Sequence, residues 1–304
     1  MYYSPSSASA LAEAELVYVD NHASTSVYIA FDVEEETLPE ALRGHAEVKL
    51  LIWTTTPWTL PTNMGIAVNV EMEYVLVRCE KGMFVVGKEL LMSLETVLGE
   101  VNVIATVKGA WILLYLTFLM HCAGSDLTSI QYTGLFRSSP TSLPVLHSNH
   151  VTATSGTGLV HCAPAHGVED YQAFLTQGRL SKTDIQQLLC LVGPDGKYSE
   201  QIIHDAEWLD RGVGKRLVGK KILQEGNKEV VEMVKERGSL VKEVGIKHQY
   251  PYDWKTNKPV IVTATSQWFA DLSHIKGEAL EKLKGVTFYP EICESFLPFR
   301  RGVC

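Results

Sequence analysis

The chain has 304 residues, 46% hydrophobic and 20% charged, with a net charge of -8 and a mean hydropathy of +0.03. That length holds one large core or two smaller ones. The acidic balance, without a basic stripe, excludes a domain that grips nucleic acid mainly by its phosphates; any nucleic-acid substrate must be gripped at a small site, or held by something outside this chain.

Residues Ser9–Leu16 are rich in Ala and Glu, which predicts a short helix. Val27–Phe31 has the β-branched and aromatic character of a strand, and Glu34–Glu40 reads as an acidic loop. Leu50–Trp53 is a short apolar run, expected as a buried strand, that enters a Thr/Pro-rich loop. Tyr74–Cys79 and Met83–Val86, separated by Glu80-Lys81-Gly82, predict a hairpin, and Lys88–Leu98 has helical spacing. Ten residues from Trp111 to Met120 carry no charge. A bilayer-spanning helix needs about 20 apolar residues, so this run reads either as a buried element or as a foreign insertion. From 124 to 150 the composition is that of a loop. A helix is expected to start near Gly167–Asp170, Gly193–Gly196 to turn, and Lys228–Arg237 to form an amphipathic helix stopped by Gly238. Lys247–Phe269 reads as strands and turns, and Ala279–Lys284 as a last short helix.

The six cysteines contain no C-x-x-C pair and form no zinc pattern with the ten histidines, so no structural metal is expected. Two stretches carry chemistry. In Trp53-Thr54-Thr55-Thr56-Pro57-Trp58-Thr59-Leu60-Pro61-Thr62-Asn63, three hydroxyls follow a buried strand on a loop restricted by two prolines. Such a loop can hold a polar ligand or a water; equally, the hydroxyls can cap the backbone. In the second stretch, residues 156–171, His161 and Asp170 lie nine apart across a Gly/Pro-shaped turn. Asp170 can pair with an ammonium, and a neutral His161 can donate or accept a hydrogen bond. Ser155 and His166 raise the alternative of a serine triad, but no G-x-S-x-G elbow is present.

At these residues the chain resembles a known family. The stretch 53–63 is similar to the threonine-rich editing motif of isoleucyl-tRNA synthetases, and Gly156–Tyr171 to that family's second editing motif. Ser4–Glu15 resembles the approach to the inserted editing domain. His248–Val260 and Ser266–Phe269 resemble the return to the catalytic domain, in a form similar to bacterial and mitochondrial-type enzymes. The resemblance implies an α+β fold: a β-barrel-like editing domain over 26–243, with partial catalytic-domain segments at 1–25 and 244–304. The apolar run at 110–123 is an atypical insertion in this pattern, and the tail from Ile292 to Cys304 also departs from it.

The implied activity is hydrolysis of valine mischarged onto isoleucine tRNA. Thr54, Thr55 and Thr56 would position the terminal adenosine, the ester and the water. Asp170 would pair with the α-ammonium, His161 would line the side-chain pocket, and Asn63 and Trp58 would bind nearby. No metal or cofactor is implied for editing. ATP and Mg2+ serve the complete enzyme, whose two ATP-binding signatures are absent from these 304 residues. The expected partner is the 3′ end of isoleucine tRNA, with the protein a monomer away from membranes. The mitochondrial matrix is the implied compartment, with the cytoplasm as alternative. The competing readings are a fragment without autonomous catalysis and a binding module for another partner.

Overall fold

The computed structural model describes residues 1–108, 127–181, 188–265 and 271–287. The apolar run at 110–123, Trp268, Phe269 and the tail from 292 lie outside the described residues. The strands are β1 (Tyr2–Ser4), β2 (Ser9–Leu11), β3 (Leu16–Asp32), β4 (Val48–Thr54), β5 (Gly65–Val68), β6 (Glu73–Cys79) and β7 (Gly82–Gly87), followed by β8 (Asn102–Lys108), β9 (Gln131–Thr133), β10 (Ser142–His147), β11 (Leu159–Cys162), β12 (Leu240–Asp253) and β13 (Ile261–Val262). The helices are α1 (Leu91–Leu98), α2 (Val168–Thr176), α3 (Glu200–Asp205), α4 (Arg211–Leu217), α5 (Asn227–Glu236) and α6 (Ser273–Leu283). Residues 1–264 form one unit; residues 265–304 form a second, in which α6 is the described element.

The architecture of the first unit is α+β. A six-stranded sheet, β12-β3-β4-β7-β6-β8, and a four-stranded sheet, β11-β5-β10-β9, contribute to one core, and neither closes on itself among the described residues. Side-chain alternation along each strand divides the six-stranded sheet into two faces. Leu50, Ile52, Leu76 and Val85 enter the core shared with the four-stranded sheet. Leu51, Val75, Val77 and Val86 enter a second cluster covered by Leu94, Val97 and Leu98 of α1. α5 buries Val230, Val231, Met233 and Val234, the spacing that places one helix face inward, and ends at Gly238 with φ +71°.

Two expectations are corrected. Ser9–Leu16 is not a helix. Ser9–Leu11 pairs with β1, with Ala10 opposite Tyr3, a single 3-10 turn follows at Glu13–Glu15, and β3 begins at Leu16. Eight residues of good propensity are too few for a helix to compete with a tertiary ladder. The span after 124 is not all loop either. β9 and β10 pair with each other at residues 142–144, and β10 then pairs with β5 at 145–147. Pro144 stands at this changeover, where its missing N–H breaks no continuous ladder.

The predicted strand at Val27–Phe31 is the inner part of a 17-residue strand. Its outer part runs with β12 alone as a two-stranded ribbon, from Ser26 opposite Val244 to Leu16 opposite Asp253. Beyond the ribbon β1 pairs with β13, so residues from both flanking segments share one small sheet. Asp253 ties them: its Oδ2 accepts from the hydroxyls of Ser4 (2.6 Å) and Ser7 (3.0 Å), and its Oδ1 from the Lys255 backbone N–H (2.8 Å). Trp254, in the second flanking segment, leaves apolar surface open at 51% exposure.

Candidate active site

β4 ends at Thr54, and the chain passes through Thr55 and Thr56 into a 3-10 helix at Pro57–Thr62 with Pro57 in its first turn. β11 lies beside β4, and the turn that follows it delivers α2. Between these segments is a cavity of ≈ 330 Å³ whose lining includes Thr54, Thr55, Thr56, His161 and Asp170, five of the residues singled out in the sequence. Its wall at residues 156–158 is fixed by close backbone packing. Gly158 has φ +79°, and a Cβ there would stand 3.0 Å from Gly87 Cα, so only glycine lets this loop lie on β7. Gly87 N–H donates to Thr157 O (2.7 Å), and Tyr74 Oη donates to Gly158 O (2.9 Å).

The three threonines differ. Thr54 Oγ1 accepts from the Thr56 backbone N–H at 3.1 Å and lies 3.3 Å from Thr56 Oγ1. The Thr55 hydroxyl lines the cavity without a hydrogen bond to any described residue. Of the two alternatives open from sequence, backbone capping is seen at Thr54, while the Thr55 hydroxyl caps no described backbone group.

His161 is held by a hydrogen-bond chain that fixes its tautomer. Tyr132 Oη donates to Asn63 Oδ1 (2.6 Å), and Asn63 Nδ2 donates to Gly65 O (2.9 Å) and to His161 Nδ1 (2.7 Å). Thr59 Oγ1 donates to Thr56 O (2.8 Å) and so receives the proton of His161 Nε2 (2.9 Å). Burial, with His166 nearby, pushes the His161 pKa down to about 3, so the ring is neutral. Both nitrogens are spent internally. His161 thus accepts one hydrogen bond and donates another as a neutral ring, and both are to protein, so that it lines the cavity as a rigid wall. Asn63 lies behind that wall, in the chain that holds it.

Asp170 is the third residue of α2, and its Oδ2 accepts from the Ala163 backbone N–H (2.9 Å). Gly167 makes this possible, because a Cβ there would lie 2.4 Å from Oδ2. Burial raises the Asp170 pKa above the ordinary aspartate value, offset in part by the Ala163 N–H and by His150. A buried carboxylate at a cavity wall gains most from an incoming cation.

Trp58 is elsewhere. Its backbone N–H donates to Asn227 Oδ1 (3.0 Å), its carbonyl accepts from Tyr198 Oη (2.6 Å), and its indole stands edge-on to His166 at 4.8 Å. So anchored, it lines a separate cavity of ≈ 170 Å³, against β12 and β13 residues. The Ser155–His166 alternative has no support in the geometry. Both line the large cavity, but His166 Nδ1 bonds Val262 O (3.1 Å) and its Nε2 faces Cys190 Sγ (3.8 Å). Sequence reasoning missed Trp53 and His150 as lining residues and Tyr132 as a support. Trp53 stood inside the motif, whereas nothing local marked the other two.

Comparison with known proteins decides the family. A family model described as tRNA synthetases class I (I, L, M and V) matches residues 1–297. The chain belongs to this family. Isoleucine--tRNA ligase of Synechococcus sp. is 37% identical over 293 residues, 95% of this chain and 27% of the relative. The mitochondrial isoleucine--tRNA ligase of Gallus gallus is 36% identical over 292 residues, 95% of this chain and 26% of the relative. The chain thus spans about a quarter of the length of these synthetases. Among solved structures, the cytosolic leucyl-tRNA synthetase editing domain of P. knowlesi is 11% identical, with a TM-score of 0.47 over 76% of this chain and 98% of that one.

Proposed function

We propose that the cavity between β4 and α2 is a hydrolytic editing site that removes valine from isoleucine tRNA. The observation that carries the reading is the convergence of Thr54, Thr55 and Thr56 with His161 and Asp170 on one cavity, from segments about a hundred residues apart. Similarity to isoleucine--tRNA ligases supports the amino-acid assignment.

In this reading the Asp170 carboxylate receives the α-ammonium of the aminoacyl group and orients its ester. The free Thr55 hydroxyl and the paired Thr54 and Thr56 hydroxyls hold the terminal ribose and a water. The water oxygen attacks the ester carbonyl carbon, the carbon–oxygen bond to the ribose breaks, and the ribose oxygen leaves as a hydroxyl. The products are free valine and tRNA with both ribose hydroxyls restored. His161 takes no proton in this scheme; its fixed ring limits the space available to the side chain. A synthetic pocket separates substrates differing by one methylene by only about 10–200-fold, and valine against isoleucine is the standard illustration of that limit rather than a quantity obtained from this structure. A second site that admits the smaller side chain multiplies the selectivity.

The chemistry needs no cofactor, because the ester is already activated. The acidic chain is read as gripping only the tRNA 3′ end, as a monomer. Bacterial and mitochondrial ligases are both among the relatives, compatible with a mitochondrial or a cytoplasmic setting. The test is release of amino acid from valyl- and isoleucyl-tRNA, both on isoleucine tRNA, by wild type and His161→Ala. Wild type is expected to hydrolyse only the valyl ester, and His161→Ala to gain isoleucyl hydrolysis. Equal rates on both esters by wild type would refute the assignment.

A further inference from the structure

Three histidines line the large cavity, and they differ in what their nitrogens do. His161 has both engaged, and His166 is bonded through Nδ1 and packed against Cys190 through Nε2. His150, just beyond β10, is half satisfied. Its Nδ1 lies 2.7 Å from Ser148 Oγ, while its buried Nε2 has no hydrogen-bond partner among the described residues. Ser148 is itself anchored, its N–H donating to Val68 O (2.8 Å) at the end of β5. A buried polar atom left unpaired beside a ligand cavity calls for a partner that arrives with the ligand.

The position of that atom says which part of a ligand it would meet. His150 Nε2 is 3.9 Å from Asp170 Oδ1. A direct charge-assisted pair would close to about 2.7–2.9 Å. At the observed separation one nitrogen can sit about 2.8 Å from both atoms, with an angle of about 90° between the two contacts, which two N–H bonds of an ammonium can serve.

We propose that His150 Nε2 is a second acceptor for the α-ammonium of the aminoacyl substrate, so that imidazole and Asp170 carboxylate clamp one nitrogen between them. The inference rests on the reading above, in which Asp170 receives that ammonium. It requires the tautomer in which Nδ1–H donates to Ser148 Oγ, leaving the Nε2 lone pair facing the cavity. Ser148 is then a positioning residue, setting both the ring angle and the tautomer. His150 binds and orients; it transfers no proton.

The test is equilibrium binding of two non-hydrolysable adenosine derivatives to the whole 304-residue chain: a 3′-valylamino-3′-deoxyadenosine, and the 3′-isovalerylamino compound that lacks only the α-amino group. The ratio of their affinities isolates the amino contact; a purely structural role for His150 would weaken both ligands and leave the ratio unmoved. Wild type is expected to prefer the amino compound, and Asp170→Asn to abolish the preference. His150→Leu should reduce it about tenfold, the worth of one hydrogen bond to a charged group. His150→Gln, whose amide reaches the place of Nε2, should restore most of it.

Wild-type preference lost in Asp170→Asn but intact in His150→Leu would overturn the clamp and leave the Asp170 assignment standing. No preference in wild type would overturn both. Should His150→Leu fail to fold, Ser148→Ala decides: a several-fold drop in the ratio supports the clamp, and an unchanged ratio refutes it.

Discussion

Gly167→Ala isolates the placement of Asp170 from its chemistry. A Cβ at position 167 would lie 2.4 Å from Asp170 Oδ2 and 2.7 Å from Cγ, where ordinary contact begins at 3.4 Å. The carboxylate must therefore retreat by about 1 Å, the difference between 2.4 and 3.4 Å. That retreat takes Oδ2 out of its 2.9 Å hydrogen bond with the Ala163 N–H. Gly167 has φ -133° and ψ 126°, an extended conformation that alanine adopts freely, so the backbone itself is not strained. Alanine is a poorer N-cap than glycine, at a cost of no more than about 1 kcal/mol. A displacement of about 1 Å at a substrate-orienting group costs about 100-fold in rate, or ~2.7 kcal/mol of transition-state stabilisation. Single-turnover release of valine from valyl-tRNA should thus fall about 100-fold, while the melting temperature moves by no more than a few degrees. Wild-type hydrolysis by Gly167→Ala would refute the assigned role of the carboxylate's position. A rate loss that only tracked a loss of folding would do the same.

Further outcomes follow at Asp170, Tyr132 and Asp253. Because burial raises the Asp170 pKa, hydrolysis should fall on acidification with a midpoint above the ordinary aspartate range, as a pH–rate profile would record. The folded chain holds that proton more tightly than the unfolded chain, so this group's contribution to stability runs the other way, rising slightly as pH falls through the same window and vanishing in Asp170→Asn. Tyr132→Phe leaves Asn63 Oδ1 without its buried donor and should lower stability in urea titration by about 1–3 kcal/mol while loosening selectivity against isoleucyl-tRNA. At Asp253 burial opposes ionisation, but hydrogen bonds from Ser4, Lys255 and Ser7 hold the carboxyl below the ordinary range. Its contribution to stability is present above the unfolded aspartate value and lost as pH falls through the folded one, and Asp253→Ala should cost about 2 kcal/mol or more in the same titration.

The parts of the site legible in the sequence are those written in contiguous residues. Thr54–Thr56 follow a buried apolar run, and His161 and Asp170 flank a turn whose glycines and proline announce its shape. Their convergence depends on β11 of one sheet packing beside β4 of the other, a contact across more than a hundred residues that no local pattern encodes. For the same reason Tyr132 was invisible: a tyrosine in a Ser/Thr/Pro-rich span reads as loop until β9 brings its hydroxyl to Asn63. Trp58 stands inside the motif, but its N–H donates to Asn227 and its carbonyl accepts from Tyr198, and so anchored it lines a neighbouring cavity, a placement no local pattern announces. Among the elements, β6, β7, α1 and α5 matched their apolar spacing because each buries one face on its own sheet or core. The outer half of β3 did not, since a ribbon open to solvent on both sides needs no apolar alternation. Ser9–Leu16 failed for the opposite reason, a local helix preference overruled by pairing with β1.

The central claim is that this cavity hydrolyses a mischarged ester through an ammonium held on Asp170. Deacylation of valyl-tRNA on isoleucine tRNA by the folded chain, wild type against Asp170→Ala, tests it most directly. Wild type should release valine, and the variant should lose that release at unchanged melting temperature. Equal release by both proteins, or none from folded wild type, would contradict it.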